Sequence, residues 1–469
     1  MQALAETVRP LVAILLAGSA IAQSPAPVKR DLSKDKVLYC VGYAHLDTQW
    51  RWDYPQTIGQ FLKATLDDNF DRFEKHPGYV FNFTGAHRYA LMKEYYPERW
   101  EKLKRYVAAG RWHVAGSSVD ECDVNSPCAE SIVRQILYGN EFFRSEFGKE
   151  SEDFMLPDCF GFPASIPSIL AHCGILGFST QKLSWGSAVG IPFNIGVWEG
   201  PDGAGVFAGL NPGSYASAIK GRVDKNEAWA KRIQENGEKY GVFADFHYYG
   251  VGDVGGAPRE EDVVNYLASV DQPDSQFHVE LGSSDELFRV LTPAEKEKLP
   301  RYKGDLLLTQ HSAGSLTSEA AMKRWNRKNE CLADAAERAS VAATWLGAEE
   351  YPKDLLHRSW IQMLGCQMHD MLPGTAFPRA YGFAWNDEIT ALNGFAAAFT
   401  DATAGIARGL DTQVEGVPLV VVNPLAIERE DPVEATMTFA GVAPASVRVL
   451  APDGSDVPVQ VLERSEDRM

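Results

Sequence analysis

Val37-Leu-Tyr-Cys-Val-Gly-Tyr43 is a near-continuous apolar run, and Ala44-His45-Leu46-Asp47 follows it directly. Seven residues of this kind, without polar alternation, read as a strand buried on both faces. Outward from it, similar runs recur at Val80–Phe83, Trp112–Ala115, Asp153–Leu156, Gly241–Tyr248 and Phe277–Glu280. A helical stretch is expected over about Gln56–His76, and helix-like segments separate the later runs. Strand–helix alternation of this length, running to about Asp305, points to an α/β domain with a parallel sheet or barrel.

Beyond Gly314 the pattern changes. Thr317–Leu346 is rich in Ala, Glu, Lys and Arg with no Gly or Pro inside the helical spacing, and Thr317 or Ser318 is placed to cap it. Leu355–Met368 and Phe383–Ile406 also read as helices, giving a compact helical domain. From Pro418 the chain alternates again, with antiparallel strands expected at Pro418–Val422, Pro432–Phe439, Ser446–Leu450 and Val457–Leu462. So few strands leave open edges, which suggests a truncated sequence or an incomplete β-domain.

The N-terminus carries a short apolar run, Leu11–Ala22, behind Arg9, with a small-x-small site at Ala20-Ile21-Ala22. It is too short for a stable span and reads as a signal peptide over 1–22 with a linker over 23–35, hence a periplasmic or secreted protein. The 469 residues include 45 % hydrophobic and 23 % charged side chains, an ordinary globular balance. A net charge of −18 argues against a nucleic-acid partner, and no other segment has the length of a membrane span. The seven cysteines are scattered without a CxxC pair, so a thiolate metal site is not expected. A Cys122–Cys128 bridge is open in an oxidising compartment, but buried free thiols are the expectation.

Three short segments carry the chemistry. In His45-Leu46-Asp47 the two polar side chains point the same way from an extended chain, at the carboxyl end of a strand, where catalysis sits in α/β barrels. Asp158, in Met155-Leu-Pro-Asp-Cys-Phe-Gly161, follows another apolar run. His369-Asp370 lies in Gln367-Met-His-Asp-Met-Leu-Pro-Gly-Thr375, at the end of a helix-like segment. Each has an ordinary reading beside the functional one: a hydrogen-bonded His–Asp pair, a turn aspartate, a histidine favoured by a helix dipole. Among them are two His and two Asp that make a donor set suited to zinc with an open position.

Read together, these segments resemble glycoside hydrolase family 38. Gly42–Trp52 looks like its first zinc motif and Leu156–Gly161 its nucleophile motif. Gln367–Thr375 looks like its last zinc motif. Thr180–Trp185, Val197–Gly200, Tyr302–Asp305 and Gln310–Gly314 resemble further family segments, in family order. The resemblance implies a (β/α)7-type barrel-like catalytic domain over 36–314, a three-helix bundle over 315–412 and the start of an all-β domain over 413–469. It implies one zinc per chain on His45, Asp47, Asp158 and His369, with Asp158 also the nucleophile of a retaining α-mannosidase. Asp253, in the Gly-rich Tyr249–Pro258, would be the acid/base. Trp50 would stack under the sugar and Asp370 would contact its hydroxyls. Asp123 and His311 would line the substrate site, or be a solvated loop carboxylate and a hydrogen-bonded loop histidine. Arg134 is read as an internal salt bridge. The implied partner is a carbohydrate bearing terminal α-mannosides, and an oligomer is open. The competing readings are a zinc-dependent carbohydrate deacetylase, which would use metal-activated water, and an inactive sugar-binding fragment.

Overall fold

The structure is a computed structural model, and it describes residues 29–313 and 315–465. The leader expected at 1–22 lies outside the described residues. Two compact units are present, Met1–Asp411 and Thr412–Met469.

The first unit is built on β1 (Val37–Ala44), whose eight residues are all buried. One edge pairs along its full length with β8 (Ala244–Val251). The other is shared, β9 (His278–Leu281) on the first half and β2 (Phe81–Thr84) at Tyr43. β3 (Trp112–Ala115) extends β2, and every pairing in this sheet is parallel. A second five-stranded sheet has the order β10 (Arg301–Lys303), β6 (Ile195–Glu199), β7 (Gly205–Gly209), β5 (Gly177–Ser179), β4 (Asp153–Met155). Only the β6–β7 hairpin in it is antiparallel. β3 and β4 run close together, but no strand pairing among the described residues joins the two sheets. The strands thus form an α/β fold of largely parallel sheets, and the pairing does not close them into the expected barrel.

The tightness of the β1–β8 seam is set by Gly250. Its φ is +146°, and a Cβ there would lie 1.8 Å from the Tyr43 carbonyl oxygen. Only glycine permits that approach, so the strand ends that carry His45 and Asp253 are drawn together.

Three helices follow, Ala320–Trp345, Lys353–Gly365 and Pro378–Arg408. They share a core of Ala333, Ala336, Leu356, Trp360, Met363, Ala391 and Phe395, which Val119 of the α/β layer joins. Neither Thr317 nor Ser318 caps the first of them. Its N-cap is Glu319, in a left-handed conformation with no side-chain cap bond. Arg134 is a structural ion pair, with both Nη atoms on Glu337 at 2.7 and 3.0 Å and Nε on Glu130 at 2.7 Å. All seven cysteines are free thiols. No helix among the described residues is long and apolar enough to cross a membrane.

Glu388 is fully buried between these helices, where Asn329 Nδ2 reaches its Oε2 at 2.5 Å. Burial pushes its carboxyl up to about 8, with Glu330 and Asp387 adding to the rise and Asn329 opposing it. The folded state therefore keeps the neutral acid while the unfolded chain ionises near an ordinary carboxylate pKa. Stability attached to this group is complete below the unfolded value and is lost as pH rises towards about 8. Glu388→Gln is expected to lack this loss. Its unfolding free energy relative to wild type should rise between pH 5 and pH 8 by an amount on the order of a few kcal/mol, read by urea titration at both pH values.

In the second unit, β11 (Val449–Leu450) and β12 (Asp456–Val457) form a two-residue antiparallel pair. The longer strands expected at Pro418–Val422, Pro432–Phe439 and Val457–Leu462 are not formed, and these segments are mostly exposed. Alternating β-branched residues supply strand propensity, but propensity without a pairing partner leaves backbone donors and acceptors to water.

Candidate active site and metal centre

The candidate site lies at the carboxyl ends of the strands. β1 ends at Ala44 and passes directly into His45 and Asp47. The loop after β8 runs alongside: Asp47 N donates to the Asp253 carbonyl at 2.9 Å, and Gly255 N to the His45 carbonyl at 2.8 Å. Asp253 holds this position with φ +70°, a strained conformation for a residue with a Cβ. Asp158 follows β4, Glu121 follows β3, and Lys182 follows β5.

His369 arrives from the helical region, but not in the last turn of a helix as its sequence context suggests. The helix ends at Gly365, and residues 367–369 form a short ladder against 121–123. His369 N donates to the Glu121 carbonyl at 3.0 Å and Asp123 N to the Gln367 carbonyl at 2.8 Å. The helix dipole is therefore not what holds this histidine.

The two imidazoles converge on one carboxylate. Asp47 Oδ1 is 2.9 Å from His45 Nε2 and 3.1 Å from His369 Nε2. The far side of each ring fixes which nitrogen faces inward. His369 Nδ1 donates to the Glu121 carbonyl at 2.8 Å, and His45 Nδ1 faces Glu121 Oε2 at 3.2 Å. Both rings therefore turn Nε2 to the same point, where a bound cation would take the place of their Nε2 protons. Asp158 Oδ2 and Asp370 Oδ2 stand 4.0 and 3.9 Å from His369 Nε2.

Charge dominates this cluster. Burial opposes ionisation of His45, but Glu121 and Asp47 beside it hold its pKa well above the ordinary imidazole value. His369 is raised to about 9 against the same burial, through Asp47 and Asp370. Asp47 lies below the usual carboxylate range despite burial, because of the two imidazoles. Asp370 is raised to about 7 by burial and by Asp47. Among the described residues, three sets of side chains offer ligand atoms within 4.8 Å of one another: His45, Glu121 and His369; His45, Asp47 and Asp253; Asp47, His369 and Asp370. Two imidazole Nε2 atoms gathered around one carboxylate, with further carboxylates behind, form a donor set that suits a borderline divalent cation in place of the imidazole protons.

Beneath the imidazoles is a layer that sequence reading missed. Glu121 accepts from the Tyr43 hydroxyl and from Thr84 Oγ1, the latter at 2.5 Å. Arg88, fully buried, donates to Glu121 Oε1 at 3.1 Å, to Asp120 Oδ1 at 2.7 Å and to Thr48 Oγ1 at 3.0 Å. Its guanidinium, with His45, holds the Glu121 carboxyl well below its usual range despite burial.

On the other side of the cluster, the Tyr215 hydroxyl is 2.9 Å from Asp253 Oδ1 and 3.4 Å from Asp158 Oδ1, and its ring stacks on His45 with centroids 4.9 Å apart. Burial and the two carboxylates raise the phenol far above its usual pKa, so it stays a donor. The Lys182 ammonium contacts Asp158 Oδ1 from a side chain only 2 % exposed. Glu121 had a local signal in the acid-rich Asp120–Asn125, and Lys182 in Thr180–Trp185. Tyr215, in Asn211-Pro-Gly-Ser-Tyr215, had none.

The remaining expected residues fall into two groups. Asp370 borders the cluster and accepts from the Thr375 hydroxyl. Trp50 is half-buried on the loop that continues from Asp47, edge-on to Trp52 at 5.7 Å and with the Arg51 guanidinium 4.2 Å from its centroid. His311 packs edge-on to Trp185 at 4.7 Å, and burial with the nearby Lys182 lowers its pKa. Asp123 is neither solvated nor open. It is buried, and its oxygens accept from Asn125 N at 3.1 Å and Ser126 N at 3.0 Å, which close a local turn.

Comparison with known proteins accords with this geometry. Residues 36–305 match the model of the glycosyl hydrolases family 38 N-terminal domain, and 309–399 that of the alpha mannosidase middle domain. The chain is 32 % identical over 344 residues to Alpha-mannosidase G of Dictyostelium discoideum, covering 73 % of this chain and 31 % of that protein. It is 32 % identical over 340 residues to human Alpha-mannosidase 2C1, covering 72 % and 32 %. The chain thus spans about a third of the length of these relatives. A crystal structure of an alpha-mannosidase from Enterococcus faecalis shares the fold, with a TM-score of 0.67 at 21 % identity, covering 81 % of this chain and 44 % of that one. With a family model matching more than half of its residues, the chain belongs to glycosyl hydrolases family 38, of which it carries the N-terminal and middle domains.

Proposed function

We propose that this chain carries the catalytic centre of a zinc-dependent, retaining α-mannosidase that acts on terminal α-mannosides of glycans. The observation that carries the reading is the convergence of His45, Asp47 and His369 beside two carboxyl groups, Asp158 and Asp253, that share one phenol. Two oxygens at 3.4 and 2.9 Å from the Tyr215 hydroxyl can be no further apart than those distances laid end to end. Oxygens this close fit a retaining pair, whose carboxyls stand roughly 5–5.5 Å apart, and so accommodate a nucleophile with an acid/base.

His45, Asp47 and His369, with Asp158 at the edge, would hold the zinc, which supplies Lewis acidity and a template for sugar hydroxyls when bound. Asp158 attacks the anomeric carbon as the glycosidic C–O bond breaks, and a glycosyl ester forms on its carboxylate. Asp253 gives its proton to the departing oxygen. It then takes one from the water that cleaves the ester, restoring both carboxyls. Tyr215 holds Asp253 against the reaction face, and Lys182 keeps Asp158 oriented. Trp50 stacks beneath the ring and Asp370 accepts from its hydroxyls. The apolar run at 11–22 supports export to the periplasm or beyond as part of this proposal.

The test is hydrolysis of a chromogenic α-mannoside by the purified chain, stripped of metal with a chelator and then given zinc. Release that disappears on stripping and returns with zinc is expected. A folded, zinc-loaded chain that deacetylates acetylated sugars but leaves the mannoside intact would overturn the proposal.

A further inference from the structure

Trp185 is 45 % exposed, yet it stands beside the most deeply held lysine of the site. The Lys182 ammonium that contacts Asp158 Oδ1 is 5.0 Å from the Phe160 ring centroid and 4.9 Å from that of Trp185. A lone exposed tryptophan on a mobile surface needs no explanation. This one is fixed. The next residue, Gly186, takes φ +114° against Gln310, and its carbonyl accepts from Thr309 N at 2.8 Å. Ala188 N donates to the Leu307 carbonyl at 2.9 Å, Ser187 bridges Leu308, and His311 packs against the indole. The loop holds a large apolar surface open towards solvent at the rim of the site.

The two oxygens of Asp158 say which part of a substrate that rim meets. Oδ2 faces His369 and the metal-ligating cluster, where the sugar to be cleaved is held in the proposed reaction. Oδ1 faces Lys182 and Tyr215, and Tyr215 also reaches Asp253, the group that protonates the departing oxygen. Trp185 therefore lies on the leaving-group side. An indole offers an apolar face to the C–H face of a pyranose while its N–H stays wet. We infer that Trp185 is the platform for the sugar on the leaving-group side, giving the site a preference for glycan over small aglycones. This inference rests on the α-mannosidase reading and deepens it.

The experiment compares the zinc-loaded chain with Trp185→Ala and Trp185→Phe on two substrates. In α-mannosyl fluoride the leaving atom is too small to reach Trp185. In a mannosyl-mannose disaccharide the leaving group is a full sugar. Trp185→Ala is expected to lower kcat/KM on the disaccharide by roughly 10- to 30-fold, mostly through KM, and to leave the fluoride within about two-fold. Trp185→Phe should recover most of the loss. Equal loss on both substrates, or no loss on either, would overturn the platform. A wild-type chain inert towards both substrates would overturn the mannosidase reading itself, and the platform with it.

Discussion

Asp158→Asn at saturating zinc is expected to lower the turnover of a chromogenic α-mannoside by about three to four orders of magnitude or more, while the chain stays folded. An amide has almost no nucleophilicity, and no neighbour is placed to substitute. Asp253 is engaged by the Tyr215 hydroxyl as the acid/base partner, and Asp47 is saturated by two imidazoles. The amide keeps one oxygen for Lys182, so the change removes a reacting group more than a packing element. Thermal unfolding in parallel checks this. Saturating metal separates lost chemistry from weakened binding, because Asp158 also edges the metal cluster. A variant that keeps a tenth of wild-type turnover would remove Asp158 from the role of nucleophile.

The second large effect is expected at Arg88, which touches no substrate. Removing its guanidinium leaves Asp120 buried without its cation and Glu121 with only the His45 imidazole beside it. Breaking a buried pair in this way costs about 3–5 kcal/mol, a large part of the stability of any domain. Arg88→Ala should therefore show a much lower urea midpoint. Glu121→Gln is the gentler companion. It keeps the shape and the ladder to His369, since that bond uses the Glu121 backbone, but weakens the carboxylate behind His45 Nδ1. Zinc affinity measured by chelator competition should fall about 10- to 100-fold, with little change in unfolding. Unchanged affinity in Glu121→Gln would mean that His45 does not depend on Glu121 for its orientation.

Much of the fold that positions the site is legible in the sequence because the strands concerned are buried on both faces. Val37–Tyr43, Trp112–Ala115 and Asp153–Leu156 read as apolar runs and are found as strands within a residue at each end. β5, β7 and β10 escape such a reading, being only three to five residues long and containing glycine or charge, as in Gly177–Ser179 and Arg301–Lys303. Of the strands expected after Pro418, only the end of Ser446–Leu450 is found, as β11, and the others fail for the converse reason: the residue types favour extension, but pairing is a tertiary fact.

The site divides in a similar way. His45 and Asp47 are legible because i, i+2 spacing after a strand fixes their common direction. His369 is legible only as a residue in a motif. What places it is a three-residue ladder to 121–123, a segment nearly 250 positions away. Tyr215 follows the antiparallel hairpin strand β7, where no periodicity marks it. It enters the site because the loop after β8 brings Asp253 beneath it.

The measurement that bears most directly on Asp158 as the nucleophile is covalent trapping. The zinc-loaded chain would be incubated with a fluorinated mannosyl fluoride that forms the glycosyl ester quickly and releases it slowly, and peptides would then be read by mass spectrometry. One sugar per chain is expected, carried on the Asp158 peptide, with loss of turnover in proportion to labelling. Steady turnover of the α-mannoside with no label, or a label on a residue other than Asp158, would contradict it.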